Sequence, residues 1–187
     1  MSQSDRPCLS IAIAPLTVAP GNHFATWVLR SPYAGGYVHH DCTWSSELAQ
    51  LWQAWQQLFS LQSFPSPLLP DDSSAVIDVL AALKGNSTTG YSSLLMQKLG
   101  LSLWQWLFAG SIQPCFAQSQ GIAIGQGLPL RVRLELRDPY LIGLPWEIMQ
   151  PQPGKPSISL SPQLLFSRTT SDVDELSYRL ATDRLNI

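Results

Sequence analysis

A strict alternation of apolar and charged residues marks one segment in the last third of the chain. The apolar positions are Leu130, Val132, Leu134 and Leu136, and the positions between them are Arg131, Arg133, Glu135 and Arg137. Successive side chains of a β-strand point to opposite faces, so this period of two predicts a strand over 128–137. We expect its leucine face to be buried and its arginine face to be solvated.

A period of 3.6 residues predicts helices elsewhere. From Trp44 to Phe59, seven apolar residues form one stripe, and Thr43 or Ser45 can cap the N-terminus. Further helices are predicted over 73–84, 91–108 and 111–119, the last closing near Gly121. Gly100 lies inside the third helix and indicates close packing there, because glycine costs a helix about 1 kcal/mol relative to alanine.

Short strands precede and follow these helices. Segments 8–17, 24–30 and 37–39 predict an antiparallel meander, and 158–160 and 164–168 predict two later strands. Segment 144–147 is typical of a helix start, 171–184 of a linker or exposed helix, and 185–187 of the first residues of another strand. The fold class expected is therefore α/β (α+β).

Composition narrows the classes of function. The 187 residues allow one domain or two small ones, and only 13% of them are charged, with a formal net charge of −2. Such a chain lacks the basic face of a nucleic-acid binder and the polybasic segment of a membrane-surface binder. Since no signal peptide, membrane span or disulfide framework is evident, a cytoplasmic location is expected.

The charge is also unevenly distributed. Residues 1–130 hold ten charged residues and residues 131–187 hold fourteen, while the stretch 99–130 holds none. A surface so poor in charge indicates either a bias towards glutamine or packing against more protein.

Catalytic and metal chemistry have few candidates. The cluster His39-His40-Asp41-Cys42 has the residue types of a metal site, but adjacent residues on a strand point to opposite faces, so we expect no metal. A cysteine–histidine dyad of Cys115 with His39 or His40 would give a cryptic cysteine enzyme, although a buried structural thiol is the simpler interpretation. No glycine-rich phosphate loop is recognisable, and no cofactor is expected.

Two sets of residues could contact a partner. Trp52 and Trp55 lie on the stripe of the first helix, where a core position is the default and a partner groove is the alternative. Arg131, Arg133 and Arg137 share the exposed face of the alternating strand, which could be an anion site or simply a solvated sheet face.

The C-terminal half resembles the opening of CHAT domains, the caspase-like domains of cysteine-protease lineage. The resemblance rests on the strand at 130–136, on Leu144-Pro145-Trp146-Glu147, and on a following strand that closes with Arg168. The first strand and the segment 99–121 are similar to the cyanobacterial HetF-like branch. The resemblance implies an N-terminal strand-and-helix region at 1–125 and the opening of a caspase-like sheet at 126–187.

The catalytic histidine and cysteine of that family lie beyond this opening region, so no catalytic residue can be transferred. We therefore expect a non-catalytic, regulatory portion of a HetF-like CHAT protein that makes contacts with protein, either with the caspase-like core or with itself. A stand-alone protein-interaction module is the alternative, and the cryptic cysteine enzyme is the third hypothesis.

Overall fold

The computed structural model describes residues 6–16, 22–59 and 88–170. Within these ranges five strands form one mixed sheet, namely β1 (Cys8–Pro15), β2 (His23–Arg30), β3 (His39–Thr43), β4 (Leu130–Leu136) and β5 (Leu164–Thr170). The helices are α1 (Ser46–Leu58), α2 (Thr88–Leu107), α3 (Ile112–Gly125) and the short α4 (Pro139–Ile142). Two 3₁₀ turns follow at Trp146–Ile148 and Ile158–Leu160. The predicted α/β class is confirmed.

The sheet order is β3-β2-β1-β4-β5. β1, β2 and β3 pair antiparallel, which confirms the predicted meander, whereas β1, β4 and β5 are parallel. The third strand begins at His39, two residues later than predicted, because its register pairs the polar run His39–Thr43 with β2. Its polar composition lacks the apolar signal on which strand prediction depends.

One face of the sheet carries the core. Leu9, Ile11 and Ile13 of β1 are fully buried there with the four leucine-face residues of β4, and the long helices belong to the same cluster. Ser45, rather than Thr43, caps α1, since its Oγ accepts a hydrogen bond of 3.2 Å from the Leu48 amide. The predicted helical stripe and the predicted two-faced strand β4 are both confirmed.

Gly100 has the packing role that its position indicates. A Cβ at this site would collide with the carbonyl oxygen of Ile148, so α2 and the first 3₁₀ turn touch backbone to backbone. The Gln150 amide donates to the Gly100 carbonyl at 3.2 Å and the Gln150 side chain donates to the Gln97 carbonyl at the same distance. The turn is thereby fixed on the side of the helix.

The structure differs in detail from three local predictions. α3 continues to Gly125, because Gly121 faces open space and carries no capping geometry. Segment 158–160 is a 3₁₀ turn with Ile158 buried, since its amide bonds to Met149 at 2.6 Å and not to a neighbouring strand. The helix start predicted at 144–147 is the start of a single 3₁₀ turn, Trp146–Ile148. The predictions for 73–84, 171–184 and 185–187 fall outside the described residues.

Candidate protein-contact surface

The residues that carry the family resemblance meet at one place. The guanidinium Nε of Arg168 on β5 lies 2.9 Å from a carboxylate oxygen of Glu147. Its Nη1 donates to the carbonyl oxygens of Ile142 at 2.7 Å and Leu144 at 3.1 Å. We call Glu147, Arg168 and these two carbonyl groups the arginine clasp.

Trp146 supports the clasp from inside. Its ring is fully buried, and its indole N–H donates to the Leu141 carbonyl at 2.8 Å. Pro145 precedes it and has no amide hydrogen to satisfy, and Leu144 is also buried. The clasp therefore ties the connection between β4 and β5 to the outer strand, and its role in the fold is structural.

β5 presents one unpaired edge in the part of the chain that the structure describes. It pairs with β4 through seven register positions, and the Leu130 amide donates to the carbonyl of Gln163. Because backbone groups alternate in direction along a strand, the amides of Phe166 and Arg168 point away from β4. An edge of this kind is a template for another strand.

Within the described residues, the second face of the sheet is partly exposed, and we call it the open face. Its register positions include Ser10 and Ala14 on β1, Arg133 on β4, and Leu165 and Ser167 on β5. Arg133 and Ser167 are exposed, and Leu165 is 38% exposed. Parallel strands are usually covered on both faces, so an open face beside β4 and β5 is an available contact surface.

Trp52 and Trp55, the two tryptophans predicted as candidate contacts, contribute little to this surface. Trp52 is fully buried, which removes it from the candidate contact residues and confirms its default core position. Trp55 is half-buried and its ring lies 4.6 Å from that of Phe59, which is exposed. The periodicity alone could not separate these two positions, because both lie on the same stripe.

The histidines point in different directions, as the strand geometry predicts. The Nε2 of His39 lies 2.7 Å from a carboxylate oxygen of Asp41, on the open face. The ring of His40 lies on the other side, against Gly110, whose φ of +50° and lack of a side chain permit the contact. The described residues contain no group of three or more potential metal ligands.

Cys42 and Cys115 are both buried. Burial, and secondarily the charge of Asp41, raises the pKa of Cys42 to about 12. Cys115 is buried beside Tyr33. Burial first, and this neighbour second, raise the pKa of Tyr33 to about 12. No hydrogen bond in the described ranges joins Cys115 to His39 or His40.

An apolar cleft lies between α3 and the segment before β5. It has a volume of about 450 Å³ and is lined by Trp104, Phe116, Pro156 and Pro162 among others. Lys155 is the one charged residue among those lining it. A cleft of this composition lacks the paired acid and base groups of an active site.

Comparisons of this chain with protein-family models, curated proteins and solved structures found no match. Among the described residues, no helix has both the length and the apolar character that crossing a bilayer requires.

Proposed function

We propose that this chain is a non-catalytic contact segment of a HetF-like CHAT protein, and that it docks a caspase-like core through the β5 edge and the adjoining open sheet face. One observation carries the proposal. Among the described residues, the buried side chains of β4 all lie on one face, Arg133 and Ser167 on the other face are exposed, and β5 is the outer strand of the sheet. Additional strands and a second covering layer would complete this arrangement.

The arginine clasp gives the proposal its second support. Glu147 and Arg168, which define the resemblance in the sequence, are in contact in the structure although 21 positions separate them. They hold the connection that precedes β5 and so keep the edge strand in a fixed register. The buried state of Cys42 and Cys115 favours a non-catalytic role over the cryptic enzyme.

Site-specific photo-crosslinking in the source organism tests the proposal. A photoreactive phenylalanine analogue replaces Ser167, which is exposed on the edge strand, and the matched control replaces Gln53, which is exposed on α1. We expect the probe at position 167 to form an adduct with a caspase-like core, in the same polypeptide or in another, and the probe at position 53 not to. Adducts that are identical at the two positions, or none at position 167, would contradict the proposal.

The alternative, a stand-alone protein-interaction module, is favoured by the arginines on the open face. It gives a different result in the same experiment. The adduct at position 167 would then contain a separate protein without a caspase-like core.

A further inference from the structure

We propose that Arg30, Arg131 and Arg133 form a binding site for an acidic polypeptide segment on the open sheet face. We call these three residues the arginine corner. This inference rests on the proposed function as a contact segment and specifies the chemistry of the partner at that surface.

The sheet register brings the arginine corner together from distant parts of the sequence. The pairing of β1 with β2 shifts register between Ser10 and Ile11, and beyond this shift Ser10 is opposite Arg30 on β2, while it is also opposite Arg133 on β4. Neighbouring strands lie about 4.8 Å apart, so the two arginines flank Ser10 at a Cα separation of about 10 Å. Arg131 is two positions before Arg133 and therefore shares its face, about 7 Å away along the strand.

The cations of the corner have no anionic partner within the described ranges. Arg137 and Arg168 each pair with a carboxylate, at 2.6 Å from Glu135 and 2.9 Å from Glu147. Arg30, Arg131 and Arg133 make no such pair, and Arg30 and Arg133 are exposed. Three arginines without an ion pair among the described residues are unusual on one face of a chain with 13% charged residues and a net negative charge.

The other end of the same face is already closed. The guanidinium of Arg137 lies 5.1 Å from the centre of the Trp27 ring, and Arg137 also binds Glu135. Ala12 on β1 lies between Trp27 and Glu135 on this face, and it is fully buried. At the end with the arginine corner Cys8, opposite Arg131, is buried as well, and the exposed groups are Arg30 and Arg133 on either side of the half-buried Ser10.

The geometry fits an extended acidic peptide. Side chains at i and i+2 of an extended chain are about 7 Å apart, which matches the spacing of Arg131 and Arg133. Guanidinium groups bind carboxylates through paired, charge-assisted hydrogen bonds. A polypeptide can also cover parallel strands, which in most folds are covered on both faces.

Fluorescence anisotropy with a defined probe tests the site. The probe is a labelled peptide of about ten residues that alternates Glu and Thr, and the control peptide alternates Gln and Thr. We expect the full chain to bind the acidic peptide and not the control. Raising the ionic strength from about 0.05 to 0.3 M should weaken the binding.

Two charge-matched double variants localise the binding. Arg30→Gln with Arg133→Gln should weaken it about tenfold, or about threefold per exposed arginine. Lys98→Gln with Lys155→Gln removes the same formal charge away from the corner and should leave it unchanged. Circular dichroism and the melting temperature show whether both variants are folded. We expect both to fold, because glutamine is tolerated at surface positions.

Several results would overturn the inference. They are the absence of saturable binding, equal binding of the two peptides, and equal weakening in the two double variants. Binding of phosphatidylserine vesicles, sensitive to the corner arginines but without peptide binding, would replace the polypeptide with a membrane. Peptide binding does not require the β5 edge, so this assay and crosslinking at position 167 can fail independently.

Discussion

The two faces of the sheet differ in what holds them. On the covered face, Leu134 and its neighbours are fully buried under helices, and backbone approaches backbone at Gly100. On the open face, the contacts are a few solvent-screened pairs such as Arg137 with Glu135. The stability of the fold therefore depends on the covered face, while the open face can change its charge at little cost and is suited to recognition.

Adjacent residues of β4 give the sharpest test of this difference. Leu134→Ala should lower the free energy of unfolding by about 2–5 kcal/mol, because it removes buried methyl groups and leaves a cavity. Arg133→Ala should change it by less than about 0.5 kcal/mol, because its side chain is exposed. Urea unfolding of both variants measures the difference, and similar losses for the two would contradict the assignment of the faces.

Two glycines in helices form the next pair. Gly100→Ala should cost about 1–3 kcal/mol, because the new Cβ collides with the Ile148 carbonyl and forces α2 away from the turn. Gly121→Ala meets nothing within 4 Å and should stabilise α3 by about 0.5–1 kcal/mol. Thermal melts measure both changes in stability, a lower melting temperature for Gly100→Ala and a higher one for Gly121→Ala. A Gly100→Ala variant as stable as the parent chain would mean that the close contact is not required.

The sequence predicted the elements better than their arrangement. The alternation in β4 and the stripe of α1 each reflect burial of one face, which is a local pattern in the sequence. The parallel pairing of β1 with β4 joins residues more than 100 positions apart and leaves no local pattern. Arg30 was missed for this reason, since it joins Arg133 only through the register of three strands. The contact of Glu147 with Arg168 was accessible from the sequence only through the family resemblance.

The arginine clasp combines features of the two sheet faces, because its charged side chains are half-exposed but hold buried backbone in place. Arg168→Lys should cost about 1 kcal/mol, since a lysine cannot bond the Ile142 and Leu144 carbonyls and Glu147 together. Glu147→Gln should cost less, because the pair is about 40% exposed and salt screens it. Unfolding at low and high salt separates the two, and a larger loss for Glu147→Gln would contradict this order.

The open edge should promote association of the isolated chain. We expect the mass measured by light scattering to rise with concentration, and Ser167→Lys to reduce that rise a few-fold, because like charges opposed across paired strands repel. Gln53→Lys adds the same charge on α1 and should leave the association unchanged. A parent chain that stays monomeric at high concentration would count against an accessible edge.

Asp138 lies just after the end of β4, and its substitution has the smallest effect on stability that we expect. Its carboxylate caps α4 by accepting from the Tyr140 amide at 2.8 Å. Burial raises its pKa above the usual 3.8, against the lowering effect of hydrogen bonds from Tyr140 and Leu141. A raised pKa in the folded state means that the stability contributed by proton binding is present below pH 3.8 and is lost as the pH rises through the folded value.

Asp138→Asn keeps the cap and removes this titration. The stability of the variant relative to the parent chain should therefore increase as the pH rises from about 3 to 7. Urea unfolding across this range measures the difference. A difference that decreases with pH would mean that the hydrogen bonds, and not burial, dominate at this position.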